Sequence, residues 1–323
     1  METERGIMKD YCVGADIGGT TIKLGLFRSV GELIYKWSIP TRKEDHGSRI
    51  FGDIKDSVMS VLEERGIDLS DVEGLGVDVP GPVLPDGTVN RCVNVGWGVI
   101  KAGEMFSREF GGLKTAVLND ANAAALGEMW KGAAKGVKNV CLATLGTGVG
   151  GGIIVDGRIV TGSFGAGGEI GHMTMDEDEE ETCNCGKKGC LEQYSSGNGI
   201  ARLARLKLGD RNCPETSLRQ YDEVDAKVIY DEAKKGDKVA LELVDDLSRY
   251  LARAFSYVSA VTDPEVFVIG GGVSKNGPIV KEHVEKFFKQ YAFHASRKAR
   301  FELAALGNDA GIYGSVKAVL DKE

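Results

Sequence analysis

The sequence lacks the features that would place it in a membrane, outside the cell or on a nucleic acid. No apolar run approaches the roughly 20 residues that a helix needs to span a bilayer. Its first residues lack the charged, apolar and small-residue succession of a signal peptide, so we expect a cytoplasmic protein. Forty basic and 48 acidic residues give a net charge of −8, which disfavours nucleic acids and anionic membranes as partners.

Long linkers and low-complexity segments are also missing, apart from an acidic run at 176–181 that we expect to be a solvated loop. A chain of 323 residues, 42% of them hydrophobic, is long enough for two domains with ample cores. In a reducing compartment the seven cysteines are expected to be free thiols or metal ligands rather than disulfides.

Glycine, in contrast, is abundant and clustered, with 45 residues. Apolar runs at 11–17 and 22–27 flank Gly18-Gly19 and predict a β-hairpin. The pattern begins again at residue 140, where a strand, a glycine-rich turn at 146–152 and a returning strand follow one another. Each half of the chain therefore opens with the same kind of unit, which is a loose architectural repeat.

The remaining apolar pattern alternates between the periods of helices and strands, which predicts an α/β fold with mixed sheets. Helices are predicted at 48–65, 121–130, 238–261 and 310–320, and strands at 74–79, 115–118 and 266–269.

The first glycine turn has the composition of a phosphate-binding loop. Glycines let the backbone approach a phosphate, and threonine hydroxyls add hydrogen-bond donors. A carboxylate at the end of the preceding strand, Asp16, can hold Mg²⁺ beside those phosphates. A plain hairpin turn explains the same residues equally well when this turn is taken alone.

Two further glycine clusters strengthen the phosphate-binding interpretation. The turn at 145–152 repeats the first one, so together they suggest a nucleotide clamped between two lobes. The cluster at 270–274 follows a buried strand and could let a flat adenine lie close to the backbone. None of these turns matches the P-loop or the dinucleotide-binding fingerprint, which disfavours a Rossmann dehydrogenase.

Asn119-Asp120 is the predicted chemical centre. Asp120 begins a predicted helix, where a side-chain oxygen ordinarily caps free N–H groups. The functional alternative is a general base that takes a proton from an attacking hydroxyl. Its low expected pKa does not exclude that role, because the proton can move late in a loose phosphoryl-transfer transition state.

One histidine and three cysteines, His172, Cys183, Cys185 and Cys190, make a complete tetrahedral ligand set for a structural zinc ion. Core packing is a poor explanation of so compact a cluster. A loop held by such a zinc ion could orient Glu169 and Glu192 towards several hydroxyls of a ligand, although both could instead be ordinary exposed acids.

These segments together closely resemble the ROK family (repressors, open reading frames and kinases), particularly its glucokinases. The matching segments keep the family's order and lie at 16–23, 78–82, 119–124, 145–152, 167–172, 183–192 and 270–274. The cysteine element that ends at Glu192 is the most specific of them.

The resemblance implies a two-lobed actin/hexokinase-like (ribonuclease H-like) ATPase fold that closes over a sugar and ATP. The smaller lobe would comprise residues 1–121 with about 307–323, because the final helix packs back on it. Residues 122–306 would form the larger lobe with the zinc knuckle. Members commonly form homodimers or higher homo-oligomers.

The resemblance also implies the roles of individual residues. Asp120 would be the catalytic base, while Asn119, Glu169, His172 and Glu192 would bind sugar hydroxyls. His172 would contact the sugar with one ring nitrogen and zinc with the other, since a metal-bound imidazole has a fixed tautomer. The positions expected to bind Mg·ATP are Asp16, Gly18, Gly19, Thr20, Thr21, Lys23, Thr147, Gly148, Gly271 and Gly272.

The expected activity is the transfer of the γ-phosphoryl group of Mg·ATP to the 6-hydroxyl of glucose. A kinase for another hexose or an N-acetylhexosamine (N-acetylmannosamine, N-acetylglucosamine, fructose or allose) is the main alternative. A sugar-responsive repressor is disfavoured, because only 15 residues precede Asp16 and a helix-turn-helix domain needs more. A zinc-stapled binding module without catalysis would leave the placement of the carboxylates unexplained.

Overall fold

The computed structural model describes residues 8–322, whose α-carbon contacts divide the chain into two compact units. The first unit runs to Gly136 and also includes Ile159–Gly167 and the segment from Asn308. The second comprises Val137–Arg158 and Gly168–Gly307. The sequence prediction placed the division after residue 121 instead, with the following helix in the second lobe.

The first unit is built on a five-stranded sheet, with a separate two-stranded ribbon. The strands of the sheet are β1 Tyr11–Ile17, β2 Thr21–Arg28, β3 Leu33–Pro40, β4 Val72–Val79 and β7 Thr115–Asn119, and those of the ribbon are β5 Val89–Cys92 and β6 Trp97–Ile100. The order in the sheet is β3-β2-β1-β4-β7. Strands β1 and β2 form the predicted antiparallel hairpin, and β3 continues it on one side. On the other side β4 and β7 run parallel to β1.

The second unit repeats this topology with the order β10-β9-β8-β11-β12. Strands β8 and β9 are the antiparallel hairpin, and β11 and β12 run parallel to β8. The strands are β8 Val140–Leu145, β9 Val149–Val155, β10 Arg158–Ile159, β11 Val266–Gly270 and β12 Arg300–Leu303. The predicted architectural repeat is thus a repeat of sheet topology.

Helices connect the parallel strands and bury their apolar stripes against each sheet. The first unit contains Ile50–Glu64, Ala102–Glu109, Asp120–Lys131 and Ala310–Asp321. The second contains Glu192–Ser195, Gly197–Gly209, Ala226–Lys234, Lys238–Thr262, Gly271–Ser274 and Pro278–Tyr291. The predicted helices are present with ends within about two residues of their predicted positions. No helix of the described part of the chain combines the length and apolarity that crossing a membrane requires.

The C-terminal helix, Ala310–Asp321, belongs to the first unit and packs on its sheet and on helix Asp120–Lys131. The approach between the two helices is close, since a Cβ at Gly314 would clash with the backbone oxygen of Ala123. This contact explains why helix Asp120–Lys131 lies in the first unit rather than in the second.

Candidate active site

The first glycine turn is braced by the chain segment that follows β3. Gly18 N–H donates to Thr21 O at 3.0 Å, which closes the turn. The hydroxyl of Thr41 donates to Gly18 O at 2.7 Å, and Thr41 N–H donates to Thr20 O at 2.9 Å. The turn therefore has a fixed backbone from Gly18 to Thr21, with Thr20 and Thr21 exposed.

Three charged side chains lie next to this turn because of strand register. Asp16 is opposite Lys23 in the antiparallel hairpin and beside Asp78 in the parallel pair. Lys23 Nζ donates to Asp16 Oδ2 at 2.7 Å. Sequence reasoning gave roles to Asp16 and Lys23 but none to Asp78.

Asp78 is fully buried, and its Oδ2 accepts a hydrogen bond of 2.7 Å from Ser315 on the C-terminal helix. Burial raises the pKa of Asp78 well above its usual value, and the charges of Asp16 and Asp120 raise it further. Sequence analysis could have identified Asp78 only by assuming that strands 11–17 and 72–78 pair in parallel, because that pairing sets Asp78 beside Asp16.

Asn119 and Asp120 lie where β7 passes into helix Asp120–Lys131. Asn119 is the N-cap, since its Oδ1 accepts from the N–H groups of Ala121 and Asn122 at 2.9 and 3.1 Å. Its amide also donates to Gly81 O at 3.1 Å. Asp120 Oδ1 accepts from Ala121 N–H at 2.8 Å, and the residue is exposed. The capping role considered for Asp120 thus falls mainly to Asn119, which leaves an accessible carboxylate at Asp120.

The second unit brings the other two glycine clusters together at the end of its sheet. Gly146 N–H donates to Gly148 O at 3.0 Å within the turn. Gly271 has φ +81°, and a Cβ there would lie about 2.5 Å from the backbone of Leu145. A cavity of about 950 Å³ opens beside Thr147 and Gly272. Its volume lies within the range of about 300–1,000 Å³ that is ordinary for small-molecule pockets.

The four predicted metal ligands converge in the second unit. Their ligand atoms all lie within 4.8 Å of one another. The Sγ atoms of Cys185 and Cys190 are 3.5 Å apart, and Cys183 Sγ is 3.8 Å from His172 Nδ1. Zn–S bonds of about 2.3 Å give a tetrahedron with edges of about 3.7 Å. The donor set and its spacing therefore fit a zinc ion.

Two carboxylates adjoin this cluster. Glu192 Oε1 lies 3.8 Å from His172 Nδ1 and 2.9 Å from Cys183 Sγ. A Cβ at Gly148 would clash with the carboxylate of Glu192, so this side chain lies directly over the second glycine turn. Burial raises the pKa of Glu169, an effect opposed by His172 and reinforced by Glu192. Glu169, His172 and Glu192 are therefore neighbours in the second unit.

The acidic run at 176–181 is a loop, as expected, in which Glu177, Asp178, Glu180 and Glu181 are exposed, but Glu179 is largely buried and held in place. Arg202, itself buried, forms ion pairs of 2.6 Å with Glu179 and 2.9 Å with Glu181. The hydroxyl of Tyr194 also donates to Glu179 at 2.6 Å. A single arginine, distant in sequence, therefore binds two acids of an otherwise exposed loop, a contact that the sequence did not indicate. The pair fastens the loop that precedes the cysteine cluster.

Replacing Glu179 by Gln is expected to lower the Tm by about 2–5 °C at pH 7. Burial would raise the pKa of Glu179, but hydrogen bonds from Tyr194, the Glu181 N–H and Arg202 outweigh it and hold the pKa at about 2. The stabilisation is therefore complete above the ordinary pKa of 4.5 and is lost as pH falls towards 2. Thermal melts at pH 7, 4.5 and 3.5 should show the difference from wild type shrinking. Glu177→Gln, at an exposed neighbour, is the control, and an equal effect there would contradict the assignment.

Comparisons with known proteins show which proteins this chain resembles over nearly its whole length. A glucokinase of Halalkalibacterium halodurans is 42% identical over 318 residues, which cover 97% of this chain and 96% of that protein. The ROK hexokinase of Thermus thermophilus has a solved structure with a TM-score of 0.80 at 30% identity, covering 96% of this chain and 97% of that one. A ROK family glucokinase of Streptomyces griseus, solved with glucose and AMPPNP, has a TM-score of 0.72 at 31% identity over 95% and 98% of the two chains.

The ROK family model matches residues 12–322, and the chain belongs to the ROK family. The predicted actin/hexokinase-like fold with mixed sheets is confirmed by the same structural matches.

Proposed function

We propose that this protein is an ATP-dependent glucokinase, which transfers the γ-phosphoryl group of Mg·ATP to the 6-hydroxyl of glucose. The observation that carries the proposal is the 42% identity to a glucokinase over nearly the whole chain. The contact of Lys23 with Asp16, the Asn119 cap and the His172–cysteine cluster also support it.

Asp120 is the proposed base. Its exposed carboxylate accepts the proton of the 6-hydroxyl as that oxygen forms its bond to the γ-phosphorus and the bond to ADP breaks. In a loose transition state the orientation of the hydroxyl contributes more than the basicity of the carboxylate. The N–H of Ala121, which donates to Asp120 Oδ1, holds the carboxylate in one orientation. Asn119 is proposed to bind a sugar hydroxyl beside it.

In the second unit the carboxylates of Glu169 and Glu192 are proposed to accept hydrogen bonds from the other sugar hydroxyls. The imidazole of His172 is proposed to donate one. The Nδ1 atom of His172 faces Cys183, which leaves the other ring nitrogen to donate to the sugar. A zinc ion held by His172 and the three cysteines would fix the imidazole tautomer and the loop that carries it. The closed ligand set assigns that ion a structural rather than a catalytic role.

The nucleotide is proposed to be bound by the glycine clusters. Gly18 and Gly19 present backbone N–H groups to phosphates, Thr20 and Thr21 add hydroxyls, and Asp16, oriented by Lys23, binds Mg²⁺ of the Mg·ATP substrate. The residues proposed to receive the rest of the nucleotide are Thr147, Gly148, Gly271 and Gly272. A homo-oligomeric assembly stays a prediction of the family resemblance, and a cytoplasmic location stays a prediction from the N-terminal sequence.

The test is ADP release by the purified protein with Mg·ATP and a panel of glucose, mannose, fructose, N-acetylglucosamine and N-acetylmannosamine. We expect the highest kcat/KM with glucose and glucose 6-phosphate as the product. Preference for an N-acetylhexosamine would replace the substrate but keep the phosphotransferase mechanism. Absence of turnover with every sugar would overturn the proposal.

A further inference from the structure

The segment that follows β3 places a lysine over the first glycine turn. Thr41 is hydrogen-bonded to this turn through both its N–H and its hydroxyl. Two residues later, Lys43 extends towards Gly19, where an added Cβ would lie 3.7 Å from Lys43 Nζ. The same position would lie 3.4 Å from Asn94 O, so the ammonium group adjoins the backbone that is proposed to bind phosphate.

The charge of this lysine is uncompensated. Lys43 is exposed, and no carboxylate of residues 8–322 forms an ion pair with it. Lys23, the other lysine at the turn, is paired with Asp16 at 2.7 Å. A phosphate bound at Gly18 and Gly19 would therefore meet one free positive charge from Lys43.

The backbone after Lys43 is held in an unfavourable conformation. Asp45, His46 and Gly47 are consecutive residues with φ of +51°, +56° and +66°. Two non-glycine residues in this region are uncommon, and such strain persists only where the surroundings impose it.

Contacts with the rest of the unit impose this turn. Gly47 N–H donates to Lys43 O at 3.1 Å, and the Trp97 indole donates to Gly47 O at 3.2 Å. Trp97 is in turn stacked on Phe51, with ring centroids 5.0 Å apart. A buried tryptophan thus fixes the strained turn, and the turn fixes the direction of Lys43.

We propose that Lys43 contacts the terminal phosphates of Mg·ATP and stabilises the γ-phosphoryl group during its transfer to the sugar. This inference rests on the proposed kinase function. The P–O bond to ADP breaks as the bond to the sugar oxygen forms, and Asp120 takes the hydroxyl proton. Lys43 keeps its own proton throughout and supplies positive charge to the transferring oxygens.

The test compares three variants at one standard temperature and salt concentration. Lys43→Met removes the charge at nearly constant length and is expected to lower kcat by about 10- to 100-fold, with the KM for glucose within about twofold. Lys43→Arg should retain most of the activity. Lys101→Met, at an exposed lysine of the same unit, is the control and should behave as wild type.

Calorimetric titration without turnover supplies a second readout. For Lys43→Met we expect about a tenfold loss of affinity for Mg·AMPPNP and no change for AMP, which lacks the terminal phosphates. Equal losses for both nucleotides would contradict the inference, because AMP has no terminal phosphate for Lys43 to contact. Wild-type kcat together with wild-type AMPPNP affinity would overturn the inference.

A double-mutant cycle tests the role of the strained turn. Gly47→Ala places a Cβ 2.8 Å from the Trp97 indole nitrogen at a positive φ, so it should displace Lys43 and lower kcat. If the turn acts through Lys43, adding Gly47→Ala to Lys43→Met lowers kcat little further. Fully additive losses would contradict the positioning role, and circular dichroism verifies that each variant is folded. If the wild-type protein phosphorylates no sugar, the proposed function is wrong. If the wild-type protein is active and these variants are equally active, only the role of Lys43 is wrong.

Discussion

Replacing Asp120 by Asn is expected to lower kcat by about 10²–10⁴-fold while the KM for glucose stays within a few-fold. The amide has nearly the shape of the carboxylate, but it cannot accept the proton of the 6-hydroxyl. The start of helix Asp120–Lys131 should remain intact, because the Oδ1 atom of Asn119 accepts from the first free N–H groups. Steady-state kinetics coupled to ADP release measure both constants.

The matched control is Asp56→Asn, at an exposed carboxylate on helix Ile50–Glu64 of the same unit. This change should leave both constants unaltered. If Asp120→Asn turns over near the wild-type rate, Asp120 is not the base and contributes only to the start of the helix. A large rise in KM at constant kcat would make it a sugar-binding group only.

Replacing Cys185 by Ser is expected to abolish stoichiometric zinc binding and most of the activity together. The thiol is exposed, so serine fits the site without steric conflict, but its hydroxyl is a poor ligand where a thiolate is needed. Structural zinc contributes about 10–16 kcal/mol to the folding of small zinc domains, so the loss of one of four ligands removes a large part of the local stability. Elemental analysis gives the zinc content, and hydrogen exchange reports the loosening, which we expect at 169–192.

Cys213→Ser is the matched control, since Cys213 is a partly exposed thiol outside the cluster. It should keep zinc and full activity. Metal-free Cys185→Ser with wild-type turnover would separate the cluster from catalysis. Removal of zinc from the wild-type protein by a chelator should reproduce the variant, and re-addition of zinc should restore activity.

The fold could be predicted to a large extent from the sequence because its signals are local. The apolar runs on either side of Gly18-Gly19 specify a hairpin, and the structure shows Tyr11–Ile17 paired with Thr21–Arg28. The zinc ligands lie within 19 residues of one another along the chain, so spacing alone indicated a set that the structure brings within 4.8 Å.

Contacts between distant segments could not be predicted in this way. Arg202 forms ion pairs with Glu179 and Glu181 of the acidic run from helix Gly197–Gly209, which follows that run in the sequence. Asp78 lies beside Asp16 through a parallel strand pairing that no short motif records. Lys43 approaches Gly19 only because Thr41 and a strained turn direct the chain there. Each case depends on tertiary register, which periodicity does not encode.

The position of the C-terminal helix has a consequence for synthesis in the cell. The sheet that carries Asp16 and Asn119 is translated within the first 120 residues, yet the helix that covers it, Ala310–Asp321, is made almost 200 residues later. At about 5–20 residues per second the ribosome leaves this surface bare for roughly 10–40 s. The second unit, whose residues all lie before Asn308, can fold during that interval. The unit that is translated first is therefore expected to complete its folding last. Its uncovered sheet is the surface that we expect a chaperone to bind during synthesis.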